Sequence, residues 1–327
     1  MRTRSGSSYS HLAAGPSSTV SRKKRKLTSA DCNYFDVLHD DVVLSILVKV
    51  SSTAECPADF LSALATCKRF NGLGLDPLVL SNASKETFAV TAKKWSPSAN
   101  CFLQRSSRAG NIEASYTLGM IQFYCFQNWG QGASLMARAA VKAHAPALYS
   151  LAIIQFNGSG GTKNKKDLIG GVTLCARAAV LGHIDAVREL GHCLKDGYGI
   201  TKNTVAGQRF LIEANIRELT ANNHKKFDGV NLTRLPLLVD VGYEMPVQVS
   251  HPANRFLTGW FANRVPDPAY NICSYEGCGR PETRTHEFRR CSVCGVRTYC
   301  SRGCQARDWT MGHFKSCTPF MRFAGRR

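Results

Sequence analysis

A segment in the middle of the chain occurs twice. Residues 135–147 (LMARAAVKAHAPA) and 174–186 (LCARAAVLGHIDA) are identical at 8 of 13 positions and start 39 residues apart. The glycine turns that follow, GSGGTKN at 158–164 and GYGITKN at 197–203, repeat at the same offset. Including the weaker flanking copies, the period is 32–39 residues. Such a period with two helical halves is typical of an α-solenoid, in which stacked helix pairs bury a continuous core. The repeat therefore predicts a chain that is mainly α.

Two weaker copies flank this pair, so we expect about three helix pairs and a final helix near residues 206–219. The A-x-x-x-L-G segments at 114–119 and 186–191, together with the glycine turns, resemble Sel-like repeats, which are relatives of tetratricopeptide arrays. Small residues at these places would let the paired helices approach closely. The recurring His144 and His183 are interpreted as turn or packing residues and not as ligands or catalysts.

Seven of the 14 cysteines lie in the last 55 residues of the sequence. With one histidine they form four closely spaced pairs: Cys273-x4-Cys278, Cys291-x2-Cys294, Cys300-x3-Cys304 and His313-x3-Cys317. Thiolates and imidazoles at such spacings are ligands of structural zinc sites. Eight ligands fill two tetrahedral sites. Sequential, nested or interleaved pairing would each give one site of four cysteines and one of three cysteines with the histidine. Because neither site keeps an open coordination position, the ligand count predicts structure and not catalysis.

The residues around these pairs resemble a MYND zinc finger: Tyr299-Cys300-Ser301, Cys304-Gln305, Asp308-Trp309, His313 and Cys317. MYND fingers interleave their ligand pairs. The resemblance implies two Zn²⁺ per chain, the first held by Cys273, Cys278, Cys300 and Cys304, the second by Cys291, Cys294, His313 and Cys317. The gap between the second and third cysteines is longer than the family's usual gap. We expect nearby basic residues, including Arg289 and Arg290, to favour the thiolates, and Ser301 to cap a helix.

Other roles for these cysteines are disfavoured. The N-terminus shows no apolar segment of a secretory signal, so we expect an intracellular, reducing compartment in which disulfides are rare. Some MYND fingers belong to lysine methyltransferases, but no segment resembles that domain, and we expect a chain that is not an enzyme. MYND fingers generally bind proteins, often through short proline-containing peptides, which implies a client protein as a partner.

Residues 35–80 show apolar side chains at helical spacing. The segments Leu38-His39-Asp40-Asp41, 42–50, Cys67-Lys68-Arg69-Phe70 and Pro77-Leu78 resemble an F-box. His39 stands where the family usually has proline, and a simple helical hairpin is the alternative. The resemblance implies docking to a Skp-type adaptor of a cullin ubiquitin ligase. The residues expected to serve both the adaptor contact and the hairpin core are Leu38, Val42, Ile46, Leu47 and Phe70.

Both ends of the chain are basic. Residues 1–30 hold seven Lys/Arg and no acid, and residues 273–327 hold eleven Lys/Arg and four acids, so each carries +7 of the net +19. The first segment is predicted to be disordered. Its basic cluster resembles a nuclear import signal and comprises Arg22, Lys23, Lys24, Arg25 and Lys26. We therefore expect the protein to be located in the nucleus, with the cytoplasm as a second location. Direct nucleic-acid binding is disfavoured because no recognition helix is apparent, and no apolar run is long enough for a membrane span.

The predicted architecture combines an F-box helical hairpin, an α-solenoid of Sel-like helix pairs and a small two-zinc MYND finger. Its segments are a basic tail at 1–30, the F-box at 35–80, the solenoid at 100–220, a connector with a short helix at 221–272, the finger at 273–317 and a basic tail at 318–327. The leading hypothesis is a substrate-recognition subunit of a cullin-type ubiquitin ligase that binds the adaptor, the cullin complex and a client. The alternative is a nuclear scaffold or transcriptional co-regulator without a ligase role.

Overall fold

The computed structural model describes residues 34–221, 250–264, 266 and 270–319. The chain divides into two units, residues 1–39 and residues 40–327. In the first unit the described residues include one short helix, α1 (Tyr34–Val37). The basic cluster at 22–26 lies outside the described residues, as does most of the C-terminal basic tail. Over the described ranges, no helix has both the length and the apolar character that crossing a membrane requires.

The second unit begins with four helices that cover most of the segment predicted to be an F-box and are called the hairpin below: α2 (Asp40–Thr53), α3 (Pro57–Thr66), α4 (Lys68–Gly74) and α5 (Pro77–Asn82). Proline occupies the first position of α3 and α5, where its missing N–H leaves no hydrogen bond unmade. Val43, Leu47 and Phe60 are buried and form the hairpin core. The Nη2 atom of Arg69 lies 2.6 Å from Oδ1 of Asp40 and ties α4 to the start of α2.

Seven helices form the solenoid: α6 (Pro97–Arg108), α7 (Ile112–Tyr124), α8 (Trp129–Val141), α9 (Ala145–Asn157), α10 (Leu168–Val180), α11 (Ile184–Asp196) and α12 (Thr204–Ala221). Short 3-10 helices lie before it at Lys85–Phe88 and Ala92–Lys94, and within it at Lys163–Lys165. The helices of each pair run α6–α7, α8–α9 and α10–α11, and α12 closes the array against α11. The predicted mainly α class is confirmed.

The recurring polar residue of each copy caps the second helix of its pair. Asn111, His144 and His183 each accept a hydrogen bond from the backbone N–H three residues further on, at 2.9, 3.3 and 3.3 Å. These side chains therefore satisfy an N–H group that the helix itself leaves unpaired. The fourth copy differs, because Asn215 lies inside α12 and accepts a hydrogen bond from Arg188 at 2.8 Å. The repeated histidines have a structural role, as predicted.

Small residues set the spacing between the solenoid helices. A Cβ atom on Gly207 would lie 2.7 Å from the carbonyl oxygen of Gly191, and one on Gly132 would lie 2.8 Å from the carbonyl oxygen of Gly119. Both distances are too short for a carbon–oxygen contact, so α7 and α8, and α11 and α12, approach closely only because these positions are glycine. In α9 the equivalent position is Ala152, which is fully buried.

Helix α13 (Pro252–Phe261) lies between the solenoid and the C-terminal segment, where the sequence predicted a short helix. Phe256 packs with Ala92 and Leu103 on the hairpin side of the core. Ala253 and Leu257 are buried in the core that holds the solenoid helices and the cysteine-rich segment. This helix therefore joins the two parts of the hydrophobic core.

Candidate metal centres and docking faces

The C-terminal segment is built on a short antiparallel ribbon of β1 (Arg289–Arg290) and β2 (Thr298–Tyr299), with Arg289 opposite Tyr299. Three short helical segments follow: α14 (Arg302–Asp308), a π-helical turn (Trp309–His313) and α15 (Phe314–Ser316). Because the strands are antiparallel, Cys291 after β1 and Cys300 after β2 lie at opposite ends of the ribbon. The ribbon thereby separates two groups of cysteines.

The first group contains Cys273, Cys278, Cys300 and Cys304, all of them buried, with ligand atoms within 4.8 Å of one another. The sulfur of Cys300 lies 3.6 Å from that of Cys278 and 3.5 Å from that of Cys304. Ser301 accepts a hydrogen bond from the N–H of Cys304 at 3.0 Å and caps α14, as predicted. The cap places Cys304 on the first turn of α14, facing the other three cysteines.

The second group contains Cys291, Cys294, His313 and Cys317, again with ligand atoms within 4.8 Å of one another. The sulfurs of Cys291 and Cys317 are 3.8 Å apart, and Cys294 Sγ lies 3.5 Å from His313 Nε2. Gly295, with φ +68°, allows the tight turn that follows the cysteine pair. The structure thus brings the four pairs together in the interleaved arrangement.

Hydrogen bonds fix the orientation of the His313 ring. Its Nδ1 lies 2.6 Å from the hydroxyl of Tyr299, and that hydroxyl donates to Asp308 Oδ2 at 2.6 Å. Because the hydroxyl proton goes to the carboxylate, Nδ1–H donates to the hydroxyl oxygen and Nε2 keeps its lone pair for the cysteine cluster. Reasoning from the sequence missed this relay, although all three residues lie in the motif.

Both groups have the dimensions of tetrahedral zinc sites. Zinc–sulfur bonds of about 2.3 Å place the sulfurs of such a site about 3.8 Å apart, whereas a disulfide holds them about 2 Å apart. The described cysteines are all free thiols. Desolvation raises the pKa of Cys294, but the backbone N–H groups of Arg297 and Val296 outweigh it and lower the pKa to about 6. The donor set and its spacing therefore fit zinc at both places.

Glu113, His144 and His251 form a third close group, but its hydrogen bonds argue against a cation. The carboxylate oxygens of Glu113 lie 3.2 and 3.1 Å from Nε2 of the two rings, and each Nδ1 accepts a backbone N–H. Each ring therefore carries its proton on Nε2. The His251 ring donates this proton to the carboxylate, and Nε2 of His144 lies at ion-pair distance from it. Burial raises the pKa of Glu113, but these hydrogen bonds outweigh it and hold the pKa well below its usual range. The group ties α7, α9 and α13 together.

The finger is docked on the solenoid by polar contacts to α11. The carboxylate of Glu189 accepts hydrogen bonds from the backbone N–H groups of Arg302 and Gly303, at 2.9 and 3.3 Å. It thus binds the N-terminal end of α14, where the helix dipole favours negative charge. Arg307, further along α14, pairs with Asp185 at 2.6 Å. Desolvation raises the pKa of Glu189, while Arg302 and the two amides oppose it.

Helix α9 makes the second set of docking contacts. The hydroxyl of Tyr149 donates to Ser301 Oγ at 3.1 Å, and Asn157 Nδ2 donates to the carbonyl oxygen of Cys300 at 2.9 Å. A Cβ atom on Gly303 would lie 2.9 Å from the Tyr149 hydroxyl, so the fit is close. The solenoid and the finger therefore share one buried core, and these docking contacts are made beside the first cysteine group.

The predicted adaptor residues differ in exposure. Val42 is 42% exposed, whereas Leu47 on the same helix is 1% exposed and belongs to the hairpin core. Ile46 and Phe70 are half-buried, as is Leu38, which belongs to the first unit. Leu61 and Leu78, which are not among the predicted adaptor residues, are large apolar residues exposed on the hairpin. The adaptor contacts stay predictions.

Comparison with known proteins shows which families and proteins this chain resembles. Residues 273–317 match the MYND finger family and residues 85–190 match the plant tetratrico peptide repeats. The chain is 54% identical to F-box protein At1g67340 of Arabidopsis thaliana, covering 94% of this chain and 86% of that protein. It is 57% identical to F-box protein At5g50450 of the same plant, covering 88% and 86%. The solved structure of a Sel1 repeat protein from Oxalobacter formigenes matches 35% of this chain and 85% of its own, at 23% identity and a TM-score of 0.32.

The fold and the cysteine clusters define a helical-repeat protein of the interaction class with a C-terminal zinc-finger module. The two relatives, most of whose length the chain covers, then identify the family. The chain belongs to the F-box proteins that carry Sel-like helical repeats and a C-terminal MYND finger.

Proposed function

We propose that this chain is the substrate-recognition subunit of a cullin-type ubiquitin ligase and docks through α2–α5 to a Skp-type adaptor. The observation that carries the proposal is the two-sided character of α2 in an F-box family member. Val43 and Leu47 are buried in the hairpin core, while Val42 beside them is turned to solvent. An apolar side chain held on a well-packed helix is suited to a protein contact. In this role the chain itself catalyses no reaction.

The solenoid and the finger would bind the client protein. Trp309, Met311 and Phe314 are exposed large apolar side chains beside the second cysteine group. The rings of Trp309 and Phe314 lie 6.3 Å apart, so they form one patch. Aromatic patches of this kind suit proline-containing peptides, which supports such a peptide as the client segment.

The two cysteine groups would each hold one Zn²⁺, with the ligands in the interleaved sets described above. The sulfur spacing and the free Nε2 of His313 support this assignment. Zinc would supply the folding free energy of a segment that is too small to be stable through its own core. Elemental analysis of the purified full-length chain should give close to two zinc atoms per chain, and a value near one or zero would contradict the assignment.

Adaptor binding can be tested with the full-length chain and a purified Skp-type adaptor. Val42→Asp should weaken co-purification at least tenfold, because it places a charge in the apolar contact. Val180→Asp is the matched control, since Val180 is 88% exposed on the solenoid helix α10. Leu47→Asp is a poor probe because it would unfold the hairpin. Wild-type protein that fails to bind the adaptor, or equal binding by both variants, would refute the ligase proposal.

The alternative is a nuclear scaffold or co-regulator, for which His39 in place of the usual proline is the supporting observation. A chain that ignores the adaptor yet binds a proline-rich client would favour it. Nuclear location is a further proposal that depends on the basic cluster at 22–26. Replacing its five basic residues with alanine in a fluorescent fusion should move the protein to the cytoplasm if the cluster is the import signal.

A further inference from the structure

Arg280 is a charged residue buried at the contact between the finger and the solenoid. It follows Cys278 by two positions and is 4% exposed. Its carbonyl oxygen accepts a hydrogen bond from the N–H of Cys273 at 2.8 Å, so its backbone belongs to the loop of the first cysteine group. A buried guanidinium is costly unless an opposite charge and hydrogen bonds accompany it.

The guanidinium reaches in two directions. Its Nη1 lies 3.7 Å from Cys278 Sγ and 3.9 Å from Cys300 Sγ. Its Nη2 donates to Ser150 Oγ at 2.8 Å, and that oxygen lies 3.0 Å from the hydroxyl of Tyr116. The planar fork of arginine therefore links two ligands of the first group to helices α9 and α7.

Within the part of the chain that the structure describes, Arg280 lacks the carboxylate partner that a buried arginine usually has. Arg302 and Arg307, also in the finger, pair with Asp196 and Asp185 at 2.5 and 2.6 Å. Across the described residues, Arg280 has no carboxylate within ion-pair distance, and its buried Nε has no hydrogen-bond partner. The negative charge that this arginine needs must therefore come from the sulfurs.

Charge counting shows when the sulfurs can supply it. Four neutral thiols would leave the guanidinium without a counter-charge. Four thiolates around one Zn²⁺ carry a net charge of about −2, which one buried cation offsets in part. A metal centre of four thiolates and the buried guanidinium beside it are therefore complementary in charge.

We propose that Arg280 is the positioning residue and counter-charge of the first metal centre, and that it makes occupancy of this centre a condition for docking the finger on the solenoid. This inference rests on the proposed zinc centres. It concerns the first centre alone, because the ring nitrogen and hydroxyl that orient the second centre, in His313 and Tyr299, lie within the finger itself.

The test uses a competing chelator to measure zinc release from two proteins, the full-length wild-type chain and its Arg280→Met variant. Loss of a group that supports metal ligands commonly weakens metal affinity by about 10- to 100-fold, and that loss is expected for one of the two zinc ions. Arg280→Lys keeps the positive charge but loses the planar fork of the guanidinium. Its zinc affinity should lie between those of the wild-type chain and Arg280→Met. Arg177→Met, at an exposed position of the solenoid helix α10, should retain both ions. Alkylation and peptide mapping should assign the released ion to Cys273 and Cys304.

Unchanged affinity for both ions in a folded Arg280→Met chain would overturn the inference. If that variant does not fold, the wild-type chain decides. Removing zinc should make Arg280 react at least tenfold faster with a dicarbonyl reagent, while Arg177 on α10 reacts equally in both states. Protection of Arg280 that persists without zinc would overturn the inference too. A wild-type chain that binds no zinc would instead refute the proposed centres.

Discussion

Truncating Glu189 should release the finger from the solenoid without removing a cysteine ligand. Glu189 is 6% exposed, and its Oε2 is the acceptor for two backbone N–H groups at the start of α14. Glu189→Ala leaves both N–H groups without that acceptor. An unpaired buried donor costs about 1–3 kcal/mol, and the amide of Arg302 is only partly buried, so we expect a loss of about 3 kcal/mol in docking free energy.

Amide hydrogen exchange measures this loss where it occurs. A change of about 3 kcal/mol corresponds to roughly 150-fold faster exchange, because each 1.4 kcal/mol is a factor of about ten. The effect should appear at the amides of Arg302 and Gly303. Glu189→Gln keeps an oxygen acceptor and loses the charge at the helix end, so a smaller increase of about fivefold, near 1 kcal/mol, is expected.

Glu213→Ala provides the control for removing a carboxylate from a solenoid helix. Glu213 pairs with Arg217 one turn along α12, with half of its side chain exposed, and such pairs contribute about 0.3–0.5 kcal/mol. The Glu213→Ala variant should leave amide hydrogen exchange in α14 unchanged. The reasoning is refuted if Glu189→Ala stays folded and exchange at the two amides rises less than threefold.

Three further predictions concern the solenoid and the metal centres. Burial lowers the pKa of His183 to about 4 in the folded chain, so its contribution to stability should fall by on the order of 3 kcal/mol as the pH drops from 6.5 to 4. His183→Asn keeps a helix cap that does not titrate and should remove this contribution in urea unfolding, while the pH dependence from His192 and His251, whose pKa burial also lowers, remains. Gly207→Ala should destabilise the chain by about 1–3 kcal/mol because its Cβ would lie 2.7 Å from a carbonyl oxygen of α11, whereas Gly130→Ala meets no atom within 4 Å and should be neutral or slightly stabilising in the same assay. Cys304→Ser should increase amide hydrogen exchange in α9 and α11 as well as in the finger, whereas Cys294→Ser should increase it in the finger alone. Equal effects of the two variants on the solenoid would contradict the prediction that only the first centre is coupled to the solenoid.

The features that could be predicted from the sequence are those whose residues lie at a fixed, short spacing along the chain. The repeat period placed the helix pairs, because each copy must present the same apolar face to its neighbours. The ligand pairs were recognisable because two side chains that share an ion must be separated by a short turn. Ser301 was identifiable as a cap since a helix start needs a side-chain acceptor within three residues. In each case the partners lie within one element or one repeat.

The docking contacts were not predictable in this way. Glu189 and Gly303 are 114 residues apart, and Arg280 and Ser150 are 130 apart. No spacing rule connects such pairs. The expected role of Arg289 and Arg290 was incomplete for the same reason: both are exposed on β1, and the guanidinium that reaches the sulfurs is that of Arg280.

The repeat itself nevertheless explains where the finger sits. An offset of 39 residues makes Ser150 in α9 and Glu189 in α11 equivalent positions of successive copies. Ser150 accepts from Arg280, and Glu189 accepts from the start of α14. The finger therefore lies along one face of the second helices of consecutive pairs. On the proposed function, a client cannot occupy those positions while the finger is docked. The surface offered to it must then be a composite of the finger and the remaining solenoid, and zinc at the first centre would determine whether that surface exists.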